Sequence, residues 1–348
     1  VWDAYTPAER RHGFNFWYAY GTYDVHKNPH YWDTNGKKHE PHEWSPLHEA
    51  KVAADYIKNK NGVRDAKRPF FLMVAMNPPH SPYRSEADCM PEDYARYKNR
   101  PIDSLLVRDN ADRTMLKTRS AAFYFASVTG VDRAFGKILD ALKEAGLEKN
   151  TIVVFASDHG ETMCSQGTED PKNSPYAESM NIPFMARYPG RLTPRVDSLL
   201  LSSPDIMPTL LGLAGLGNKV PHSVQGRDYS ALFINGKAAV KRPDAALYIQ
   251  NMDGTKNAEG IVSDYFPSAR GIKTGRYTLA FYINRKHKRV KTLFFDDWND
   301  PYQLHNITPT DRPIDYEKLC LRLGELLHEI DDPWYKQGIL NEILKYKK

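Results

Sequence analysis

Three segments in the first two thirds of the chain are predicted to be helices. They cover residues 46–58, 115–145 and 203–214. In the longest one, apolar residues recur at steps of three and four, a spacing that places them on one side of a helix. This side is formed by Val131, Phe135, Ile138 and Leu142. Gly146 is predicted to end the helix, because glycine readily adopts the left-handed conformation found after helix C-termini.

Short apolar runs alternate with these helices and have the length of buried strands. The runs are PFFLMVAMN at residues 69–77, TIVVFA at 151–156 and IPFMARY at 182–188. None of them alternates apolar with polar residues, which indicates that both faces are covered, as in a parallel sheet. Helix followed by strand also predicts parallel pairing through right-handed crossovers. The pattern therefore predicts an α/β fold with a mostly parallel central sheet flanked by helices.

The pattern changes after residue 235. Short segments rich in Tyr, Phe, Ile and Leu follow one another at residues 246–250, 269–273, 277–283 and 292–296. The last two flank the basic run RKHKR at 285–289, the expected solvated tip of a hairpin. Residues 316–330 form an amphipathic helix pattern. We therefore predict a main α/β domain over residues 1–235 and a C-terminal α+β subdomain of antiparallel strands and a helix over residues 236–348.

Composition agrees with a large globular body. The chain has 348 residues, of which 41% are hydrophobic and 26% charged, enough to bury a sizeable core. No apolar run approaches the length of a bilayer span, so no membrane span is predicted. The net charge is +5, with Lys and Arg spread along the sequence. This distribution favours a small anionic ligand or a glycan over nucleic acid.

Polar residues that could bind a metal ion or take part in catalysis lie at the ends of the predicted strands. The strand at 151–156 ends in Ser-Asp-His-Gly-Glu, with Asp158 and His159, and the strand at 69–77 leads to His80 in PPHSPY. Open α/β sheets bind their ligands at the carboxyl ends of strands. A carboxylate beside an imidazole nitrogen could hold a divalent cation. A simple strand-to-loop turn at Asp158 and Gly160 explains the same residues, and both interpretations stay open on this motif alone.

Six motifs appear in the order found in the sulfatase family of the alkaline-phosphatase-like superfamily. They are PPHSPY, SDHGE, the K-x-x-x-Y-x-E-S run of Lys172, Tyr176, Glu178 and Ser179, IPFMARYPG, GRDYSALF and DDWNDPYQLHNI. The chain resembles this family over essentially its whole length. The resemblance implies a bacterial-type sulfuric-ester hydrolase that cleaves sulfate monoesters of a sulfated carbohydrate or an aryl sulfate. It also implies export, to a periplasmic, extracellular or lysosome-like compartment.

The resemblance also implies residue roles. Asp158 and His159 would ligate a divalent metal, normally Ca²⁺, and Lys172 would bind the sulfate. His80 would contact the sulfate or protonate the leaving oxygen. Tyr176 and Glu178 would line the substrate site, although a structural role for these two is equally open.

One family motif is missing from the sequence. Sulfatases carry a Cys/Ser-x-Pro-x-Arg segment whose first residue becomes formylglycine, the nucleophile, and no such segment is present. The nearest match, Cys-Met-Pro-Glu-Asp at residues 89–93, lacks the arginine. The chain also begins at Val1 without a methionine or a signal peptide. We therefore expect the formylglycine in a missing N-terminal segment of the same protein, which would be a partner of this chain.

Two alternatives to this function stay open on the sequence. Phosphodiester or phosphonate monoester hydrolases of the same superfamily share the Asp-His pair and much of the scaffold. The chain alone, without its nucleophile, would be a catalytically incompetent remnant that binds an anion. We predict that the chain by itself does not hydrolyse sulfate esters.

Overall fold

The computed structural model describes residues 3–21, 24–235, 240–251, 268–308, 311 and 315–344. The chain divides into two compact units. The first comprises residues 1–107 and 111–151, and the second comprises residues 108–110 and 152–348. The predicted domain boundary, between residues 235 and 236, does not coincide with the boundary between these two units, and it stays a prediction.

The first unit contains four helices and a small antiparallel sheet within its described part. Its strands are β1 (Tyr18–Ala19), β2 (Tyr31–Asp33) and β3 (Lys38–His39), in that spatial order. Its helices are α1 (Ser45–Ile57), α2 (Pro91–Tyr94), α3 (Ile102–Leu105) and α4 (Ala121–Glu144). The two long helices predicted here, at residues 46–58 and 115–145, are confirmed as α1 and α4, and a 3₁₀ turn at Leu116–Ser120 precedes α4.

Small residues let α4 pack closely against its neighbours. Ala126, Gly130 and Ala134 are buried along one side of the helix. A Cβ atom added to Gly130 would lie 2.6 Å from the Trp44 ring, so only glycine fits beneath this indole. Trp44 itself precedes α1 and donates from its Nε1 to the carbonyl oxygen of Asp88, at 3.2 Å. The first unit is therefore organised around α1, α4 and this buried tryptophan.

The prediction of a strand at residues 69–77 is wrong. The structure assigns no strand to this segment, which pairs with no other strand among the described residues. Phe71 and Met73 are each 68% exposed. A strand requires a hydrogen-bonded neighbour as well as an apolar composition, and no described segment supplies that neighbour.

The second unit begins with a pair of strands, β4 (Val153–Ala156) and β5 (Phe184–Arg187). Both positions are as predicted, but the pairing differs from the predicted parallel arrangement. The two strands are antiparallel, with Val154 opposite Ala186, and every other described strand pair is antiparallel as well. The connection between them carries only the one-turn helix α5 (Ala177–Met180). A parallel pair is usually joined through a full crossover helix, which this connection lacks.

Two further helices lead to the C-terminal sheet. They are α6 (Ser203–Leu213), confirmed at its predicted position, and α7 (Ser230–Asn235). A capping box begins α6, because Ser202 and Asp205 each bond the backbone N–H of the other.

The C-terminal sheet has four antiparallel strands in the order β6 (Ala245–Gln250), β7 (Ser268–Thr274), β8 (Tyr277–Ile283) and β9 (Arg289–Asp296). Helix α8 (Tyr316–Glu329) packs on one face of it, with Leu323 and Leu327 fully buried against Leu279 and Phe281. The short helices α9 (Pro333–Lys336) and α10 (Ile339–Leu344) complete this core. The predicted antiparallel strands and amphipathic helix are confirmed. No helix in the described part of the chain is long and apolar enough to cross a membrane.

Candidate active site

The chain leaves β4 at Ala156 and turns sharply through Ser157, Asp158, His159 and Gly160. Ser157 Oγ donates to the carbonyl oxygen of His159 at 2.6 Å, and Asp158 Oδ1 accepts the His159 N–H at 2.9 Å. The Asp158 side chain is 84% exposed. A Cβ atom at Gly160 would lie 1.8 Å from the carbonyl oxygen of Glu178, so glycine alone permits this close contact. The turn therefore presents a carboxylate outward while its backbone is held in place.

Lys172 and His159 meet side chain to side chain. His159 Nδ1 lies 2.8 Å from the carbonyl oxygen of Gly160 and must carry the hydrogen, because a carbonyl only accepts. His159 Nε2 then carries a lone pair, and it accepts from Lys172 Nζ at 3.0 Å. Asp158 Oδ2 lies 3.4 Å from the same nitrogen. The structure thus brings a carboxylate, an imidazole and an ammonium group together at one point.

The loop that carries Lys172 is fixed by Asp170. Its Oδ1 accepts the backbone N–H groups of Lys172 at 3.1 Å and Asn173 at 3.0 Å. Thr162 anchors the loop to the segment after β4, since its N–H donates to the carbonyl oxygen of Pro171 at 2.9 Å and its hydroxyl to that of Asp170 at 3.0 Å. The approach of Lys172 to the turn after β4 is therefore built into the loop backbone.

Tyr176 and Glu178 are directed into the protein. The Tyr176 ring packs 5.9 Å from the Phe295 ring, and burial, with the Glu178 charge, raises the pKa of its hydroxyl. The Glu178 side chain is 8% exposed and forms an ion pair with Arg108 Nε at 2.6 Å. Asn110 Nδ2 donates to the same carboxylate oxygen at 2.8 Å. These contacts support the structural role that the sequence left open for the two residues.

His80 lies in the first unit and ends a chain of polar contacts. Its Nδ1 donates to the carbonyl oxygen of Ser81 at 2.9 Å and lies 3.3 Å from Asp24 Oδ1. Asn77 Nδ2 donates to that oxygen at 3.3 Å, and Asn77 Oδ1 accepts from His26 Nε2 at 2.7 Å. His26 is 2% exposed, and burial lowers the pKa of its imidazole. Sequence reasoning missed Asp24 and Asn77, because nothing in the spacing links residue 24 to the PPHSPY motif.

The turn after β4 offers two atoms of a kind that bind metal ions, Asp158 Oδ2 and His159 Nε2. Within the described residues, no group of three or more His, Cys, Asp or Glu side chains is arranged to hold a metal ion. Asp158 and His159 offer one oxygen and one nitrogen donor, whereas Ca²⁺ takes about six to eight oxygen ligands. The exposed Asp158 carboxylate fits such a shell. Lys172 occupies the lone pair of His159 Nε2, so a metal at that nitrogen requires the ammonium to move away.

Two models of known protein families match the chain. Residues 1–216 match the sulfatase family model, and residues 170–332 match a model described as N-sulphoglucosamine sulphohydrolase, C-terminal. The chain belongs to the sulfatase family. The resemblance inferred from the six motifs is thereby confirmed, and members of this family in general use a metal ion and a formylglycine residue.

Two of the relatives that this sulfatase matches are bacterial sulfatases. It is 63% identical to an endo-4-O-sulfatase of Bacteroides thetaiotaomicron over 99% of this chain and 68% of that protein. It is 31% identical to an ulvan-active sulfatase of Formosa agariphila over 95% of this chain and 61% of that protein. The sulfatase therefore spans about two thirds of the length of these relatives.

Solved structures show the fold. One, described in connection with the metabolism of multiple glycosaminoglycans by Bacteroides thetaiotaomicron, has a TM-score of 0.94 at 62% identity, covering 99% of this chain and 71% of that one. A Bacteroides fragilis protein has a TM-score of 0.83 at 32% identity, with the same coverage. The sulfatase thus has the predicted α/β fold with a C-terminal α+β subdomain, although its described strand pairs are antiparallel.

Proposed function

We propose that the complete protein hydrolyses sulfate monoesters of a sulfated glycan, with 4-O-sulfated glycosaminoglycans as the substrate class. The observation that carries the proposal is the meeting of Asp158, His159 and Lys172 after β4. The substrate class is supported by the 63% identical relative, an endo-4-O-sulfatase, and by the solved structure with a TM-score of 0.94, which is described in connection with glycosaminoglycan metabolism. Export from the cytoplasm, implied by family resemblance alone, stays a prediction.

Lys172 is proposed to bind the sulfate. The nonbridging oxygens of a sulfate ester carry negative charge, which a preorganised cation stabilises in the transition state. The ammonium of Lys172 is held beside Asp158 and His159 by a loop fixed through Asp170. A compact cation with three donors suits a sulfate oxygen. In the bound state we expect Lys172 to donate to the sulfate instead of to His159.

Asp158 and His159 are proposed as part of a Ca²⁺ site. The carboxylate is exposed and acceptor-only, and the imidazole has its hydrogen on Nδ1, so that Nε2 is a donor atom for a metal. Bound Ca²⁺ would supply positive charge next to the sulfate. The remaining ligands, and the formylglycine nucleophile, are proposed to come from residues outside this sequence, since it contains no Cys/Ser-x-Pro-x-Arg segment.

His80 is proposed to protonate the leaving oxygen. Its Nδ1–H is held by the carbonyl oxygen of Ser81 and faces Asp24, so the proton that can be transferred resides on Nε2. The Asp24 carboxylate, 3.3 Å from Nδ1, holds the orientation of the ring. A sugar hydroxyl is a poor leaving group, and protonation lowers the barrier to its departure.

Replacing Lys172 tests the proposed sulfate contact. In the complete protein, Lys172→Ala should lower kcat on a 4-O-sulfated oligosaccharide by about 100- to 1,000-fold, the usual effect of deleting one preorganised donor. Lys149→Ala, at an exposed lysine, is the control and should leave kcat unchanged. Steady-state assays on sulfate and phosphate esters in parallel measure both variants. A decrease of less than about threefold in Lys172→Ala, or faster turnover of the phosphate ester by the unmodified protein, would contradict the proposal.

Calorimetric titration with Ca²⁺ tests the proposed metal ligand. Asp158→Asn in the complete protein should abolish binding, because it removes the charge from the exposed carboxylate without changing its shape. Asp132→Asn, at an exposed position on α4, is the matched control and should bind as the unmodified protein does. Equal Ca²⁺ affinity in both variants would exclude Asp158 as a ligand.

A further inference from the structure

The turn between β8 and β9 presents a dense positive charge to solvent. Arg285, Lys286, His287, Lys288 and Arg289 are consecutive and all exposed. The turn itself is held by Asn284, whose backbone N–H donates to the carbonyl oxygen of Lys288 at 3.0 Å and whose Oδ1 accepts the N–H of Lys286 at 3.0 Å. The charged side chains are therefore not required to form the turn.

Four lysine and arginine side chains in and beside this turn have no ion-pair partner among the described residues. Within the described part of the chain, no carboxylate forms an ion pair with Lys286, Lys288 or Arg289, or with Lys291 two residues further along β9. By contrast, Lys273 and Arg276 in the same sheet are paired with Asp297 and Asp296. We call residues 285–291 the basic hairpin. Unpaired cations clustered on one surface attract anions from solution.

The basic hairpin extends towards the loop of Lys172. Lys291 Nζ lies 5.6 Å from the centre of the Tyr282 ring, on the sheet face where Tyr176 also packs. Burial lowers the pKa of the Lys291 ammonium, and the Asp170 charge opposes this effect. Asp170 is the residue that fixes the backbone of Lys172. Within the second unit, Lys291 therefore lies on the sheet face against which Tyr176, four residues after the proposed sulfate-binding lysine, packs.

A groove runs along the edge strand beside these cations. Its volume is about 260 Å³, and its lining includes Arg289, Lys291, Thr292, Asn306, Thr308 and Tyr316. Asn306 forms one wall, because its side chain bonds the N–H of Phe294 at 2.8 Å and the carbonyl oxygen of Thr292 at 3.1 Å. One acid, Asp311, accepts from the Thr308 hydroxyl. Cations beside exposed amide and hydroxyl groups suit an anionic sugar unit.

We propose that the basic hairpin and this groove bind sulfate and carboxylate groups of a polyanionic glycan chain, at positions away from the sulfate ester that is cleaved. The inference rests on the proposed function in one respect, the anionic glycan substrate. Such a surface would hold a long chain while its internal esters are hydrolysed. The glycan is favoured over nucleic acid because residues 285–289 contain no Phe, Tyr or Trp on which bases could stack.

Direct binding of the complete protein to a 4-O-sulfated glycosaminoglycan chain, and to its 4-O-sulfated disaccharide, tests the proposal. In the hairpin triple variant, three cations are replaced: Lys286→Gln, Lys288→Gln and Arg289→Gln. At low salt it should bind the chain on the order of tenfold more weakly, because three exposed charge contacts are lost. Its affinity for the disaccharide should be unchanged. Chain binding by the unmodified protein should weaken steeply with salt, and less steeply in the variant.

A matched triple variant controls for net charge. Lys67→Gln, Arg68→Gln and Lys149→Gln remove three exposed cations from the first unit, and chain affinity should stay as in the unmodified protein. Thermal melting of both triple variants checks that they fold. If the hairpin triple does not fold, the single variant Lys288→Gln replaces it, and its chain affinity should fall by a smaller factor. Equal losses in both triples, or none in the hairpin triple, would overturn the proposal.

Other polyanions distinguish the occupant. Duplex DNA and vesicles of phosphatidylserine with phosphatidylcholine are titrated under the same conditions. If the unmodified protein binds DNA or the vesicles more tightly than the glycan chain, and the hairpin triple variant loses that binding, the surface is assigned to that partner. This result would overturn the proposal. Binding is measured without turnover, so a protein that fails to hydrolyse sulfate can still confirm the surface, and an active sulfatase can still refute it.

Discussion

At the residue scale, the best-defined feature outside the turn after β4 is the environment of His80. Asp24 lies 3.3 Å from its Nδ1, and Asn77 holds the same Asp24 oxygen. A carboxylate next to an imidazole fixes the orientation of the ring. If His80 protonates the leaving oxygen as proposed, Asp24 is a positioning residue that acts through it.

We expect Asp24→Asn to affect the step in which the leaving oxygen is protonated. In the complete protein, kcat on a sulfated sugar should fall about 10- to 100-fold, the usual effect of removing a residue that orients an essential His, with little change in KM. On an aryl sulfate with an activated phenol, which departs without a proton, the loss should be small. Comparing kcat on the two substrates measures the effect.

Asp132→Asn is again the control for this comparison, since Asp132 is exposed on α4. His80→Ala should reproduce the dependence on the leaving group with a larger loss. Equal losses on both substrates in Asp24→Asn would instead indicate a general disturbance of the first unit.

At the element scale, the segment after β9 holds the loop that carries Lys172 and Glu178. Gln303, 2% exposed, accepts the N–H of Ala177 at 3.0 Å and donates to Asp297 Oδ1 at 2.8 Å. The carbonyl oxygen of Tyr302 accepts from Asn110 Nδ2 and Gln166 Nε2, both at 2.8 Å. Two loops distant in sequence are therefore joined by partly buried hydrogen bonds.

Removing the Gln303 amide should loosen this connection. Gln303→Met keeps the side-chain length but removes the acceptor of the Ala177 N–H and the donor to Asp297 Oδ1, at a cost of about 1–3 kcal/mol in the free energy of unfolding. Gln225→Met, whose exposed amide donates to the carbonyl oxygen of Ile330, is the matched control. Urea denaturation measures both. A loss equal to that of the control would mean that the buried amide contributes nothing.

At the scale of the whole molecule, one buried acid makes stability depend on pH. Glu49 on α1 is 8% exposed, and burial raises the pKa of its carboxyl to about 7, although the Tyr31 hydroxyl donates to it at 2.8 Å. The folded protein therefore holds a proton that the unfolded chain releases near pH 4.5. Stability from this group is present at low pH and is lost as pH rises from about 4.5 to about 7.

Glu49→Gln should remove this dependence. The difference in free energy of unfolding between variant and unmodified protein should change by at most about 3 kcal/mol between pH 4.5 and 7, in favour of the variant at the higher pH. Urea denaturation across this range measures the difference, which cancels the contributions of other carboxylates. A difference that does not vary with pH would show that Glu49 titrates normally.

The sequence by itself determined the elements whose signal is local. Periodicity located α4 and α8, and apolar composition located β4, β5 and the strands of the C-terminal sheet, because each signal lies within the segment itself. It also selected Asp158, His159 and Lys172, which lie within 15 residues of one another, and which the structure places together.

Only the tertiary structure decided which segments are paired. The run at 69–77 has the composition of a strand but no described partner, and β4 and β5 are antiparallel. Asp24 reaches His80, and Glu178 reaches Arg108, across long stretches of sequence. Such contacts depend on how distant segments meet, which no local pattern encodes. This is why sequence reasoning selected His80 and Glu178 but missed the charged residues that hold them.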